Sequence, residues 1–341
     1  MRRWQKVLLI TLAVVAFVLF VLPFLIPLPP DGVQASTFAD TDGRFIDVNG
    51  LQTYVRERGT PDEPAVLLMH GWGGSTFSWR EQIDVLDEAG YRVIAFDRPP
   101  YGLSQKTGDL PLTQTQQADF TIAVMDALDL PSAVLVGHSM GGGVIGYVAA
   151  RYPDRVERLV FVDGAPRIED AQPAAETSAP RNPRLNSTLG VPQGATGLLS
   201  FPPFERWARI LARLFVQPGL FTELQKSAYY DPAVVTPEVA AGYQRQLEIV
   251  GWDEALLAIL SGRSFGDAPL TQAEAAAIIM PTLILWGAED TWVPLSAGER
   301  LASALPNAQI ITYPLTGHLP MEEQPEIFNR DLLTFLEGAA S

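Results

Sequence analysis

AVLVGHSMGG, residues 133 to 142, runs from a continuous apolar stretch into a histidine and a serine set among glycines. An unbroken apolar run of this length reads as a strand buried on both faces. The glycines after it let the chain reverse into a helix. Two uses of such a turn are open: a glycine-rich loop that cradles phosphate at a helix N-terminus, or an elbow that presents a serine. The Walker lysine and the G-x-G-x-x-G spacing are both absent. Gly137-His138-Ser139-Met140-Gly141 fits G-x-S-x-G, where residues two before and two after the serine must be small so that strand and helix do not collide.

The sequence on either side carries the same rhythm. Asn49-Gly50 separates two short alternating segments and reads as a hairpin turn. Ala65 to Met69, Arg92 to Asp97, Val156 to Gly164, Pro281 to Gly287 and Ala308 to Pro314 read as further strands, with helical patterns between them. Strands alternating with helices predict a parallel sheet covered on both faces. The alternation stops near residue 165. Ile168 to Ser200 is rich in Ala, Pro, Ser and Thr and shows no period, and 204 to 264 looks helical. A helical insertion therefore interrupts an α/β sheet. Asn186-Ser187-Thr188 matches the glycosylation acceptor pattern but is too short to be informative.

The chain has 341 residues and a formal net charge of -15, although Arg2, Arg3 and Lys6 open it. An acidic body without a basic stripe argues against nucleic acid as a partner. The absence of cysteine excludes disulfides, thiolate metal sites and cysteine nucleophiles. Three histidines, His70, His138 and His318, are too few for a histidine-rich metal site; no organic cofactor is expected either, since acyl transfer through a serine needs none. Val7 to Leu28 carries no charge and is long enough to span a bilayer core of about 30 Å. The basic residues before it predict a cytoplasmic N-terminus and an extracytoplasmic body. A cleaved signal peptide, cut near Val33-Gln34-Ala35 and leaving a secreted protein, is the competing reading. The apolar run exceeds the ~7–15 residues usual for a signal peptide, which favours a retained anchor. Pro23, Pro27, Pro29 and Pro30 form a stiff exit.

A serine hydroxyl needs a general base within hydrogen-bond reach. His138 adjoins the serine and should leave the turn in another direction, packing or bonding locally; His70 ends an earlier strand and reads as structural. His318, in TGHLPMEEQPE, lies between the last strand and the last helix, at the carboxyl edge where open α/β sheets place their sites. The imidazole in turn needs an acceptor. Asp290, in WGAEDTWVP, reaches the same edge and is preferred over Asp163, which ends VFVDG and could instead cap the loop leaving for the insertion; Glu289 should point elsewhere. For a developing oxyanion the backbone N–H groups of Met140, at the helix start, and of Trp72, in HGWGG, are the expected donors.

Taken together, HGWGG, DRPPYGLS, GHSMGG, GAEDTWVP and GHLPMEEQPE resemble, in that order and spacing, the α/β-hydrolase superfamily in its serine branch with a helical cap. The resemblance covers about residues 44 to 338. It implies a mostly parallel eight-stranded sheet with helices on both faces, the triad Ser139, Asp290 and His318, and a cap over the site. The expected organisation is a cytoplasmic stub and transmembrane anchor (1–30), a linker (31–43), the first part of the core (44–165), the cap (166–275) and the second part of the core (276–341). Pro100 is a departure, since relatives commonly carry glycine there. A membrane-anchored serine hydrolase of carboxylic esters is the leading expectation, its substrate a lipophilic acyl compound. Carbon–carbon bond hydrolysis, perhydrolysis, lactone opening, amide hydrolysis and acyl transfer belong to the same fold, and a non-catalytic tethered binding protein is the reading of another class. In FERWARILARLF, Arg206, Arg209 and Arg213 share a face opposite Trp207, Ile210, Leu211 and Leu214. The apolar face is expected toward the core, with the arginines outside, where they could meet anionic lipid heads.

Overall fold

A computed structural model of the chain describes residues 2–28, 32–169, 201–216, 218–260 and 267–338. The stretch without periodicity beyond residue 169, the Asn186 acceptor pattern, and Pro29 and Pro30 lie outside the described residues.

Eight strands form one sheet: β1 (Gly43–Val48), β2 (Leu51–Arg58), β3 (Ala65–Met69), β4 (Arg92–Phe96), β5 (Ala133–His138), β6 (Val156–Val162), β7 (Thr282–Gly287) and β8 (Ala308–Tyr313). Their order is β1-β2-β4-β3-β5-β6-β7-β8. The sheet is mixed, because β2 pairs antiparallel with both β1 and β4, whereas β3 to β8 run parallel. The hairpin is set by Asn49 and Gly50, both at positive φ (53° and 81°), as a tight turn matched to strand twist requires. Every residue of β3, β4, β5 and β7 is buried, because helices cover both faces. On one side pack α4 (Gln114–Ala127), α5 (Met140–Arg151) and α11 (Leu295–Ala304); on the other, α3 (Ile83–Glu88) and the terminal α13 (Pro325–Glu337). The parallel strands end at one edge, and their loops bring distant segments of the chain together there.

Between β6 and β7 the chain forms α6 (Pro202–Phe215), α7 (Pro218–Lys226), α8 (Pro237–Gln244), α9 (Trp252–Leu260) and the short α10 (Gln272–Ala276). Glu322, in α12 (Pro320–Glu323), ties this insertion to the core. Its buried carboxylate accepts from Tyr229 Oη (2.8 Å) and Tyr243 Oη of the insertion and from Arg80 of the core (2.7 Å).

Two expectations are corrected. The apolar N-terminal run is not one helix to Leu28: α1 (Arg3–Phe20) stops at Val21, and α2 (Leu22–Leu25) restarts around Pro23. Proline has no N–H to give and its ring clashes with the preceding turn, which breaks the helix. Among the described residues, α1 is the helix long and apolar enough to cross a membrane, and none of its residues is buried.

The faces of α6 are also reversed. Arg209 and Arg213 point inward onto Asp253 of α9 at 2.8–3.0 Å, and the Asp253 side chain is wholly buried. Arg206 donates to the carbonyls of Pro23 and Ile26. Ile210 is buried, while Leu211, Leu214 and Phe215 are exposed. A buried carboxylate needs paired donors more than three leucine-sized side chains need cover. The exposed apolar face continues onto the N-terminal helices, where Phe20 packs on Phe201 and Phe204 and Trp207 Nε1 donates to the Val18 carbonyl.

Removing one partner of a buried ion pair leaves the others uncompensated. Asp253→Ala is therefore expected to cost about 3–5 kcal/mol of unfolding free energy. Denaturant unfolding should show that loss, with protease cutting α6 before the sheet; a loss under about 1 kcal/mol would contradict the pairing's role.

Candidate active site

The elbow after β5 is built as its glycines require. Ser139 sits between strand and helix at φ 52°, ψ −118°, a conformation that L-residues seldom hold. A Cβ on Gly137 would lie 2.5 Å from the Gly141 carbonyl oxygen, and one on Gly141 would lie 2.4 Å from that of Met69. Side chains at these positions would push α5 off the sheet and release the turn.

His318 follows β8 and faces the elbow. Its Nδ1 is 2.7 Å from Asp290 Oδ2 and its Nε2 is 2.8 Å from Ser139 Oγ. An ionised carboxylate can only accept, so Nδ1 carries the proton and Nε2 accepts from the serine hydroxyl. Asp290 is fixed in turn, its Oδ1 accepting from the N–H groups of Trp292 (2.7 Å) and Val293 (2.9 Å). All three side chains stand at the carboxyl edge of the sheet, at the ends of β5, β7 and β8. Such a chain can move a proton off the serine and return it elsewhere.

The remaining histidines have other tasks. His138 Nε2 donates to the carbonyl of His318 at 2.8 Å, so the residue before the serine holds the backbone of the residue that faces it. Burial, reinforced by neighbouring His318, pushes its pKa well down and keeps it neutral. His70 is structural, as expected. Its Nδ1 donates to the Gly71 carbonyl (2.8 Å) and its Nε2 accepts from the Arg98 N–H (3.0 Å), while the Arg98 guanidinium donates to the His70 carbonyl (2.7 Å). These bonds shape the turn that carries Trp72. Met140 opens α5, and its N–H, like those of any first helical turn, has no acceptor within the helix. Pro100 lies in a buried turn whose carbonyl accepts from Lys106 Nζ at 2.8 Å.

Asp163 does not cap the departing loop. Its Oδ1 accepts from the Gly287 N–H at 2.9 Å, locking the end of β6 to that of β7, and it lies against Asp290. Burial first, and the charge of Asp290 second, push its carboxyl well above the ordinary range, toward the neutral form. Glu289 points away, accepting from the Thr316 N–H at 3.0 Å. Asp163, Asp290 and His318 offer ligand atoms within 4.8 Å of one another, close enough for a cation. The hydrogen bonds just described already account for that closeness.

A cleft of about 480 Å³, counted together with its opening to solvent, lies over His318. Gly71 to Gly74 and Leu319 form its floor, Trp292 one wall, and Phe221, Leu224, Gln225, Ala228 and Tyr243 of the insertion its roof. The resemblance implies a cap over the site without saying which of its residues reach in, because helical periodicity reports which side is apolar and not what that side faces.

Comparison with known proteins agrees with this architecture. Residues 64–325 match the alpha/beta hydrolase fold. The chain belongs to that family. A 2-hydroxy-6-oxononadienedioate/2-hydroxy-6-oxononatrienedioate hydrolase of Pseudomonas sp. is 28% identical over 304 residues, covering 86% of this chain and 96% of that protein. A bifunctional esterase/perhydrolase of Acinetobacter calcoaceticus is 28% identical over 297 residues, with 85% and 98% covered. Among solved structures, a bacterial membrane phospholipase A is similar at a TM-score of 0.66 and 25% identity, over 99% of both chains. This alpha/beta hydrolase thus has relatives that cleave more than one kind of bond.

The neutral Asp163 carboxyl carries a pH signature. Its folded-state pKa is raised, so its contribution to stability is present below the ordinary carboxylate range and is lost as pH rises through the raised value. Asp163→Asn removes the titrating group and keeps an acceptor for the Gly287 N–H. Thermal unfolding from pH 5 to 9 should fall for the wild type and fall less for the variant; parallel profiles would show that Asp163 is ionised throughout.

Proposed function

We propose that this protein is a membrane-tethered serine hydrolase that cleaves carboxylic esters through an acyl-enzyme on Ser139. The observation that carries the proposal is the unbroken chain from Ser139 Oγ through His318 to Asp290 at 2.8 and 2.7 Å, on a strained elbow beneath a cavity. Ser139 Oγ attacks the ester carbonyl while His318 Nε2 takes its proton. Asp290 holds Nδ1–H and stabilises the imidazolium. The N–H groups of Trp72 and Met140 receive the oxyanion, and the leaving alcohol takes the proton from Nε2. Water then repeats the sequence on the acyl-enzyme, restoring serine and releasing the acid. No step calls for a metal or an organic cofactor.

The lining favours an uncharged acyl group. Among the described lining residues none is Lys or Arg, and a dianionic dienedioate, the substrate class in the name of one relative, would leave its carboxylates without countercharge in an apolar enclosure. Phe221, Leu224, Ala228 and Leu319 suit an alkyl chain instead.

Membrane association rests on α1 and on the likeness to the membrane phospholipase, whose coverage takes in the N-terminal segment. Arg2, Arg3 and Lys6 lie at the N-terminal end of α1, before its apolar run, which supports a cytoplasmic N-terminus with the catalytic body on the other side. The exposed Leu211, Leu214 and Phe215 of α6 extend the apolar surface of the anchor, so they, rather than the arginines, are the side chains offered to lipid.

Covalent labelling by a fluorophosphonate tests the chemistry. Wild type should label and hydrolyse p-nitrophenyl butyrate, and Ser139→Ala should do neither, with a loss of kcat of at least ~10³-fold. A wild type that neither labels nor turns over any ester, lactone or amide would overturn the proposal. For the tether, a variant lacking residues 1–28 should keep kcat/KM for that soluble ester yet cease to co-sediment with phosphatidylglycerol/phosphatidylethanolamine vesicles. Co-sedimentation equal to that of the full chain would contradict anchoring by this segment.

A further inference from the structure

Gln225 is a polar side chain in the roof of the cavity whose hydrogen-bonding atoms are unused. It lies near the end of α7, is 9% exposed, and its Oε1 and Nε2 are both buried without a partner among the described residues. Several other polar side chains of the lining are engaged. Ser78 Oγ meets Tyr243 Oη, Tyr243 Oη also reaches Glu322, Trp292 Nε1 donates to Ser227 Oγ, and His138 holds the His318 carbonyl. Burying a primary amide with neither donor nor acceptor satisfied is costly, whereas leucine would fill a similar volume at no such cost. Phe221 and Leu224 of the same helix line the same space and are apolar.

We propose that Gln225 is a specificity residue that reads a hydroxyl group on the substrate, a reading that rests on the ester-hydrolase function proposed above. The amide presents an acceptor and a donor side by side. A hydroxyl complements both, donating its proton to Oε1 and accepting from Nε2. A carboxylate would leave Oε1 unpaired in a lining that, as described, carries no Lys or Arg. A plain alkyl chain would leave both atoms empty. The substrate class is therefore an ester with a lipophilic body and one hydroxyl within reach of the roof, on either the acyl or the alcohol side of the scissile bond.

Two substrate pairs separate those sources: ethyl butyrate against ethyl 3-hydroxybutyrate for the acyl side, and propyl butyrate against glyceryl monobutyrate for the alcohol side. In one pair the wild type should favour the hydroxylated member by roughly tenfold to a hundredfold in kcat/KM, the size of effect left by an unpaired buried polar group. Gln225→Leu should abolish that preference by lowering kcat/KM for the hydroxylated member. The variant should also unfold at the same or a higher temperature than wild type, since it removes an unsatisfied amide. Equal preference in wild type and variant for both pairs, or a marked drop in the unfolding temperature, overturns the inference. Fluorophosphonate labelling keeps the two readings apart. A protein that labels at Ser139 but ignores the hydroxyl refutes the role of Gln225 alone, whereas one that neither labels nor hydrolyses refutes the hydrolase reading and this inference with it.

Discussion

The contact between Ser139 Oγ and His318 Nε2 joins residues 179 positions apart in the chain, and the architecture around it answers what that contact demands. Holding the serine at positive φ costs on the order of 1–3 kcal/mol, which the surrounding packing must supply. Parallel strands provide it, because they deliver β5, β7 and β8 to one edge with their loops facing a common space. The close approach of α5 to the sheet then depends on Gly137 and Gly141, where even one added carbon would meet backbone.

Much of this was legible in the chain. Ser139, Asp290 and His318 could be assigned because each is a chemically distinctive residue just after an apolar strand, and strand ends of a parallel sheet share an edge. The hairpin at Asn49-Gly50 and the helix from Pro325 to Glu337 were readable for similarly local reasons. What resisted were relations between elements. Arg209 and Arg213 look like a solvated face until Asp253, some 40 residues away, is placed against them. No periodicity within α6 records a partner on α9. Asp163 reads as a rival to Asp290, whereas the fold buries it as a neighbour of the same carboxylate, which pushes its carboxyl toward the neutral form; burial sets that distinction and spacing does not record it.

Gln225 belongs to that second group. A glutamine near the end of an amphipathic helix is unremarkable in sequence, since solvent normally satisfies it. It becomes informative once the helix is laid over a cavity.

The backbone of His318 is gripped from two sides: its N–H donates to the Ala228 carbonyl of the insertion at 2.7 Å, and its carbonyl accepts from His138 beside the nucleophile. Roof and proton shuttle are thus mechanically one object. A displacement of the insertion at Ala228 would thus withdraw a support from the imidazole that faces Ser139 and Asp290.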